Sequence, residues 1–480
     1  MFGVTRSRRR DATRPDRDEP ARHVTHRTGP TSFQSHSQPT AAVAAPTLPS
    51  SPMNRRSLLR HSAAAGAAAL ATRLAFPDPL EAQGPPPQGL PDAITRLRPM
   101  TPAVTPISDA ERLARIEKAR RLMRDHGMAA MFLESGSSLF YYTGVRWGLS
   151  ERPFGAVIPA QGELAWITPA FEEERARELI KFSTDVRVWH EDESPYALIA
   201  QILRDRGAAT GTVGIEERVR FFIADGVHRE LPQAELALAT PVTAGCRMYK
   251  SATEIALMQR ANDITIAGYR ATFPLLRAGM TQREMSSLIA AAITRLGGAS
   301  EGALCLFGVS SAFPHGTTRP AALKEGDVVL IDGGCTVEGY AADITRTTVF
   351  GKPSQRQRDV WDLERRAQDA AFAAAQVGAA CESVDAAARK VITDAGFGPG
   401  YRVPGLPHRT GHGIGLDGHE WTNFVKGNTT RLEPGMCFSD EPTIVIYGEF
   451  GVRLEDCLYI TDSGPRFFTQ QSPAIDRPFP

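Results

Sequence analysis

Residues 406–420 read LPHRTGHGIGLDGHE and place three histidines, His408, His412 and His419, within fifteen residues. A step of four could put two imidazoles on one face of a zinc-binding helix. Gly411, Gly413 and Gly415 argue against it, because each glycine costs about 1 kcal/mol relative to alanine in a helix interior. The stretch is therefore predicted as a loop or irregular strand.

Two acidic segments supply groups for those histidines to work with. DVVLIDGGCTVEGYAADITRTTVFG, 327–351, carries Asp332 and Asp343, and folding it about Val337–Glu338 predicts that the two face each other across a hairpin. Opposed residues of an antiparallel pair have β-carbons about 4.5–5.5 Å apart. Carboxylates that close repel unless a proton or a cation lies between them. CFSDEPTIVIYGEFGVRLEDCLYIT, 437–461, repeats the device, with a turn near Gly448 setting Glu441 opposite Glu455.

Each residue also has an ordinary structural reading. Asp332 could shape a turn, Glu455 could pair with Arg453, and His412 could be a satisfied polar side chain. Two acidic hairpins and a glycine-flanked histidine cluster in one chain favour a metal centre instead. Four inward carboxylates would be costly in an apolar core, and two divalent ions about 3.5–4 Å apart would use them as bridges.

The elements that must position these groups are legible around them. Residues 1–52 are rich in Arg, Pro, Ser and Thr without apolar periodicity, and read as a disordered extension, outside the native chain if Met53 is the true start. From Met53, MNRRSLLRHSAAAGAAALATRLA pairs Arg55 and Arg56 with a short alanine-rich run, so 53–82 reads as a twin-arginine export signal. The expected location is then periplasmic or exported, with the export machinery a transient partner, and cytoplasmic if that reading fails. Residues 83–107 read as a Pro-rich, extended linker.

A first domain, 108–246, opens on the amphipathic SDAERLARIEKARRLMRDHG and alternates five short apolar runs with helical stretches, an α/β pattern. A second domain, 247–470, opens on KSATEIALMQRA, with capping boxes expected at Ser251/Glu254 and Thr281/Glu284. It turns strand-rich beyond Gly326 around helices near 354–377 and 382–395, and 471–480 form a tail.

The 480 residues carry 55 basic and 54 acidic side chains, so no uniform field points to nucleic acid or a membrane surface. The six cysteines show no CxxC pair or zinc spacing and read as buried free thiols.

In the order Asp, Asp, His, Glu, Glu, the chain resembles the pita-bread metallopeptidases, in their aminopeptidase P and prolidase branch. The likeness runs from about Ser108 to Thr469 and rests on RMYKSATEIALMQRA, IDGGCTVEGYAADITRT, PHRTGHGIGLDGHE, SDEPTIVI and GVRLEDCLYIT. It implies an α/β N-terminal creatinase-like domain followed by an α+β pita-bread catalytic domain. It also implies two divalent metal ions, manganese first with cobalt, zinc or iron as alternatives. Asp332 would chelate one ion, Asp343 and Glu455 would bridge, and His412 and Glu441 would hold the second. Glu441 would also move a proton. His315 and His419 match histidines that contact substrate and oxyanion, His408 a further pocket histidine, and Arg453 an arginine that orients ligand carboxylates.

The implied activity is dinuclear-metal hydrolysis of the Xaa-Pro bond at peptide N-termini, as in aminopeptidase P. The alternatives are a prolidase acting on Xaa-Pro dipeptides and a non-catalytic peptide-binding or chaperone module. A homodimer is implied, in which FYYTGVRWG, 140–148, brings Tyr142, Arg146 and Trp147 near the partner's cleft. Arg146 and Trp147 follow Gly144 and are expected to face solvent in their own domain. Thr443 departs from the pattern, since many relatives carry glycine there.

Overall fold

The computed structural model describes residues 89–300 and 302–480. The extension of 1–52 and the export signal of 53–82 lie outside the described residues.

The first domain is a six-stranded sheet flanked by helices. Its strands are β1 (Met128–Glu134), β2 (Gly155–Pro159), β3 (Ala165–Pro169), β4 (Val186–Trp189), β5 (Thr212–Ile215) and β6 (Glu235–Leu238), in the order β4-β3-β2-β1-β5-β6. The Asp109–Asp125 helix starts where Ser108 accepts from the Glu111 N–H. The chain then turns at Gly127, whose φ of 67° suits glycine. Five strands coincide with the five apolar runs. The sixth, β6, was not anticipated because its Glu235–Leu238 side chains are exposed or half-buried, as on an edge, and leave no apolar run.

The second domain builds the same plan twice, two helices and then antiparallel strands. The Ala252–Thr272 and Gln282–Leu296 helices precede β7 (Leu304–Phe307), β8 (Val328–Gly333), β9 (Thr336–Val337), β10 (Tyr340–Ala341) and β11 (Ile344–Val349). The Gln355–Ala374 and Cys381–Asp394 helices precede β12 (Gly411–Gly413), β13 (Glu420–Phe424), β14 (Cys437–Asp440), β15 (Thr443–Ile446), β16 (Phe450–Arg453), β17 (Asp456–Thr461) and β18 (Gly464–Phe467). Ile264, Ile289, Val329, Ile331 and Ile344 share one core. Trp361, Val384, Phe438, Val452 and Leu458 share the other. The expected α/β domain followed by an α+β domain is what the chain forms. All six cysteines are buried and free.

Four expectations need correction. Asp332 lies opposite Thr345, not Asp343. The turn centres on Glu338–Gly339, both at positive φ (51° and 90°), with Val337 paired to Tyr340. Glycine accepts that backbone far better than the β-branched Val337, so it draws the turn one residue along. A one-residue shift of the turn moves the pairing by two, and a two-residue offset keeps each side chain on its original face. Asp343 therefore still points the way Thr345 does.

At Thr281 only half the capping box forms. Its hydroxyl accepts from the Glu284 N–H at 3.1 Å, while the Glu284 carboxylate pairs with Arg277. The described part of the linker, 89–107, is not free of the core, and 83–88 lie outside the described residues. Ile94 and Ile107 are buried within the first core of the catalytic domain, and the Met100 N–H donates to Leu296 O at 2.8 Å. The 471–480 tail is docked too, with Ser472 and Ile475 buried and the Thr348 hydroxyl donating to Ile475 O at 2.5 Å. Neither segment has a periodicity to announce its packing.

Candidate metal centre

The glycines around His412 are there for space. Strand β12 runs between β13 and β14, and a β-carbon at Gly411 would collide with the Ser439 carbonyl, one at Gly413 with that of Trp421. Only His412 keeps a side chain on this strand. Its ring is buried, its N–H donates to Ser439 Oγ at 3.0 Å, and Nδ1 lies 3.1 Å from Gly413 O. A carbonyl accepts only, so Nδ1 carries a proton and Nε2 faces the acids. Nε2 is 3.2 Å from Glu441 Oε1 and 3.9 Å from Asp343 Oδ2.

Glu441 and Glu455 face each other as expected. The pairs Asp440↔Asp456 and Thr443↔Arg453 belong to one register, which sets residue 441 against 455. Pro442 has no N–H to donate, and the ladder breaks there, between β14 and β15. Asp343 joins them. One donor atom each from Asp343, His412 and Glu455 lie within 4.8 Å of one another.

The electrostatics fit a cation. Burial, reinforced by the charge of Asp332, pushes the Asp343 carboxyl up to about 7. Burial and the charge of Asp343 push Glu455 well above the usual range. Burial alone would also raise Glu441, but the hydrogen bond and charge of His412 hold it at about 2. Burial would lower His412, and its Glu441 partner outweighs that and raises it. These carboxyl groups resist ionising side by side, a divalent ion would remove that repulsion, and the oxygen-rich set with one imidazole suits such an ion.

Asp332 stands at the edge of this group, tied to Arg453 by an ion pair. The Arg453 Nε–H donates to Thr345 Oγ1 at 3.1 Å, and Nη1 donates to Pro314 O at 3.3 Å, next to His315. Thr345 Oγ1 lies 2.9 Å from Asp332 Oδ1 and 2.7 Å from Glu455 Oε2. Thr345 and Ser439, whose hydroxyl donates to Glu441 Oε1 at 3.2 Å, were missed from sequence. Thr345 had a signal, lying two residues beyond Asp343 and so on the same face.

His419 and His408 both lie close enough to Glu441 to feel its charge. The His419 and His412 rings are 3.9 Å apart. An Arg409 N–H donates to His419 Nδ1 at 3.3 Å, which leaves Nε2–H as the free donor. Partial desolvation of its ring and the nearby His412 hold His419 down at about 4, so it is neutral near pH 7. His408 has the opposite tautomer. Its Nδ1–H donates to Arg409 O at 2.7 Å, and Nε2 takes the Thr443 hydroxyl at 3.1 Å. The departure at Thr443 thus engages the pocket histidine directly. His315 is exposed and lines a 360 Å³ cavity with Gln282, Leu304 and Cys305.

Tyr142 is fully buried and does not reach a cleft. Trp147 is half-buried rather than free in solvent. It stacks on Phe154 at 4.2 Å, and the Arg175 guanidinium lies over its ring at 4.4 Å. Arg146 is more exposed, lying over Phe140 and donating to Glu338 O at 3.3 Å, so it touches the catalytic domain of its own chain. Trp147, Arg146 and Leu416 line a 220 Å³ hollow between the two domains.

Comparison with known proteins gives the same two parts. The Creatinase/Prolidase N-terminal domain matches residues 115–249 and Metallopeptidase family M24 matches 256–462. The Xaa-Pro dipeptidase of Lactobacillus delbrueckii subsp. lactis is 30% identical over 74% of this chain and 97% of its own length. The probable dipeptidase PepE of Mycobacterium tuberculosis is 35% identical over 74% and 94%. The crystal structure of dipeptidase PepE from Mycobacterium ulcerans superposes with a TM-score of 0.70 at 31% identity, covering 76% of this chain and 97% of that one. The chain belongs to Metallopeptidase family M24 and is a metal-dependent hydrolase with a creatinase-like N-terminal domain and a pita-bread catalytic domain.

Proposed function

We propose that this member of the M24 family is a two-metal peptidase that cleaves the Xaa-Pro bond of short peptides, with Xaa-Pro dipeptides preferred. The observation that carries the chemistry is the convergence of Asp343, His412 and Glu455 donor atoms within 4.8 Å. The names of the relatives support the dipeptide preference over the aminopeptidase P reading. Asp332, Asp343, His412, Glu441 and Glu455 would hold the two ions. Once bound, the two ions would polarise the scissile carbonyl and lower the pKa of water.

The chain's own groups do the rest. Glu441, aimed by Ser439, accepts the proton of the attacking water and returns it to the departing amine. His419 offers Nε2–H to the developing oxyanion, with Arg409 fixing that tautomer, and His315 contacts the substrate. Arg453 holds Asp332 in place through their ion pair.

The test is a panel of Xaa-Pro dipeptides, longer Xaa-Pro-Yaa peptides and proline-free controls, run on enzyme of measured metal content. Highest kcat/KM on Xaa-Pro dipeptides supports the reading. Preference for longer peptides returns it to aminopeptidase P, and equal cleavage of the proline-free controls removes the proline requirement.

The same reading includes manganese as the first metal, a homodimer, and export through the twin-arginine route. Metal analysis and light scattering address the first two. The export reading rests on Arg55-Arg56 ahead of the alanine-rich run, and Arg55→Lys with Arg56→Lys should keep the protein in the cytoplasm on fractionation.

A further inference from the structure

His419 is exposed, yet the loop that carries it is fastened from beneath by groups outside the metal centre. Its chain neighbour Glu420 is buried. Glu420 Oε1 accepts from the Leu416 and Asp417 N–H groups at 2.9 and 3.2 Å and pairs with Arg247, while Oε2 takes Lys250 Nζ at 3.0 Å. The Arg247 and Glu420 side chains are 1% and 2% exposed, so this is an ion pair out of reach of solvent. Gly415 is the residue that lets it close, since a β-carbon there would stand 2.6 Å from Glu420 Oε2 and 2.8 Å from Lys250 Cε.

Arg247 also reaches back into the first domain. Nη1 donates to Ser138 Oγ at 3.0 Å, and Nη2 donates to Asp417 Oδ2 at 2.7 Å. Asp417 Oδ1 in turn accepts from Ser137 Oγ at 2.6 Å and from Arg218 at 2.9 Å. The two acids that bracket Gly418–His419 are therefore both held by Arg247, and one of them by the first domain as well. None of these contacts reaches Asp332, Asp343, His412, Glu441 or Glu455.

We propose that Arg247 is a positioning residue, clamping the 416–420 loop to the first domain so that His419 is held over the reacting centre. The inference rests on the proposed role of His419. A hydrogen-bond donor works on a developing charge only if it is fixed beforehand, so a loosened loop loses turnover rather than metal. The N-terminal domain thereby contributes to catalysis within its own chain, through charge rather than through a substrate contact.

Two measurements on the full chain test this. Hydrogen exchange reads the clamp without substrate. Arg247→Met should speed exchange of the Leu416 and Asp417 amides about tenfold or more while the His412 amide stays protected. Asp417→Asn, a milder change at a partly exposed position, should act in the same direction and serves if Arg247→Met does not fold. A double-mutant cycle reads the catalytic link. Arg247→Met should lower kcat about tenfold with KM and metal content nearly unchanged, and should add little further loss in a His419→Ala background. Arg247→Lys should recover part of the activity. Unchanged exchange at Leu416 and Asp417, or an equal loss of kcat in both backgrounds, would overturn the proposal. An unaltered wild type with no action on any Xaa-Pro peptide would count against the proposed substrate alone, because exchange still reports on the clamp.

Discussion

Thr345 stands opposite Asp332 across the β8–β11 ladder, and its hydroxyl lies 2.9 Å from Asp332 Oδ1 and 2.7 Å from Glu455 Oε2. It links the acid at the rim of the centre to the acid in its middle, and accepts from Arg453 as it does so. Thr345→Val keeps the shape and removes those hydrogen bonds. Metal affinity should fall about 10- to 100-fold, as for other partners that orient ligands, and Thr345→Ser should restore most of it. Competition with a calibrated chelator measures both.

Metal content should separate the ligands from the substrate groups. Asp343→Asn, Glu455→Gln and His412→Ala should each lose bound metal and activity together. His419→Ala and His315→Ala should keep their metal and lose turnover by about two orders of magnitude. Elemental analysis beside kcat decides the matter. A metal-replete His412→Ala beside a metal-free His419→Ala would reverse the two assignments.

Glu364, on the Gln355–Ala374 helix, has no exposed surface, and burial pushes its carboxyl well above the usual range, with the Arg453 charge offsetting only part. A raised carboxyl pKa stabilises the fold below the unfolded-state value, near 4.5, and that contribution is lost as pH rises towards the folded-state value. Glu364→Gln should therefore be more stable than wild type by an amount that widens between about pH 5 and about pH 8. Denaturant titrations at both pH values measure it, and a constant gap would show that Glu364 does not titrate differently in the two states.

Trp147 stacks on Phe154 inside its own domain. Trp147→Ala should cost about 1–2 kcal/mol of stability from lost stacking and packing. Because Trp147 also lines the hollow between the domains, tolerance of longer Xaa-Pro peptides should rise while metal content holds. Kinetics across di-, tri- and longer peptides give the length profile. An unaltered profile would confine Trp147 to a structural role.

The sequence alone determined which residues could do the chemistry. Turn glycines, period-two apolar runs and paired acids are local signals, and they located the two acidic hairpins, β8–β11 and β14–β17, closely enough to put Glu441 opposite Glu455 and Asp343 on the face that meets them. His412 was singled out because glycines flank it, and the crowding of β12 between its neighbours explains those glycines. Tertiary structure decided what local signals do not carry. The register that brings Thr345 to Asp332 depends on which two residues adopt positive φ, a choice made by turn sterics rather than by hydrophobic pattern. The packing of Ile94 and Ile107 into the catalytic core and the docking of the tail follow from surfaces contributed by distant segments. The same holds for Arg247 and Glu420, which are 173 positions apart in the chain. Their charges are ordinary in the sequence and become a buried pair only when the two domains close over them, where desolvation makes each the required partner of the other.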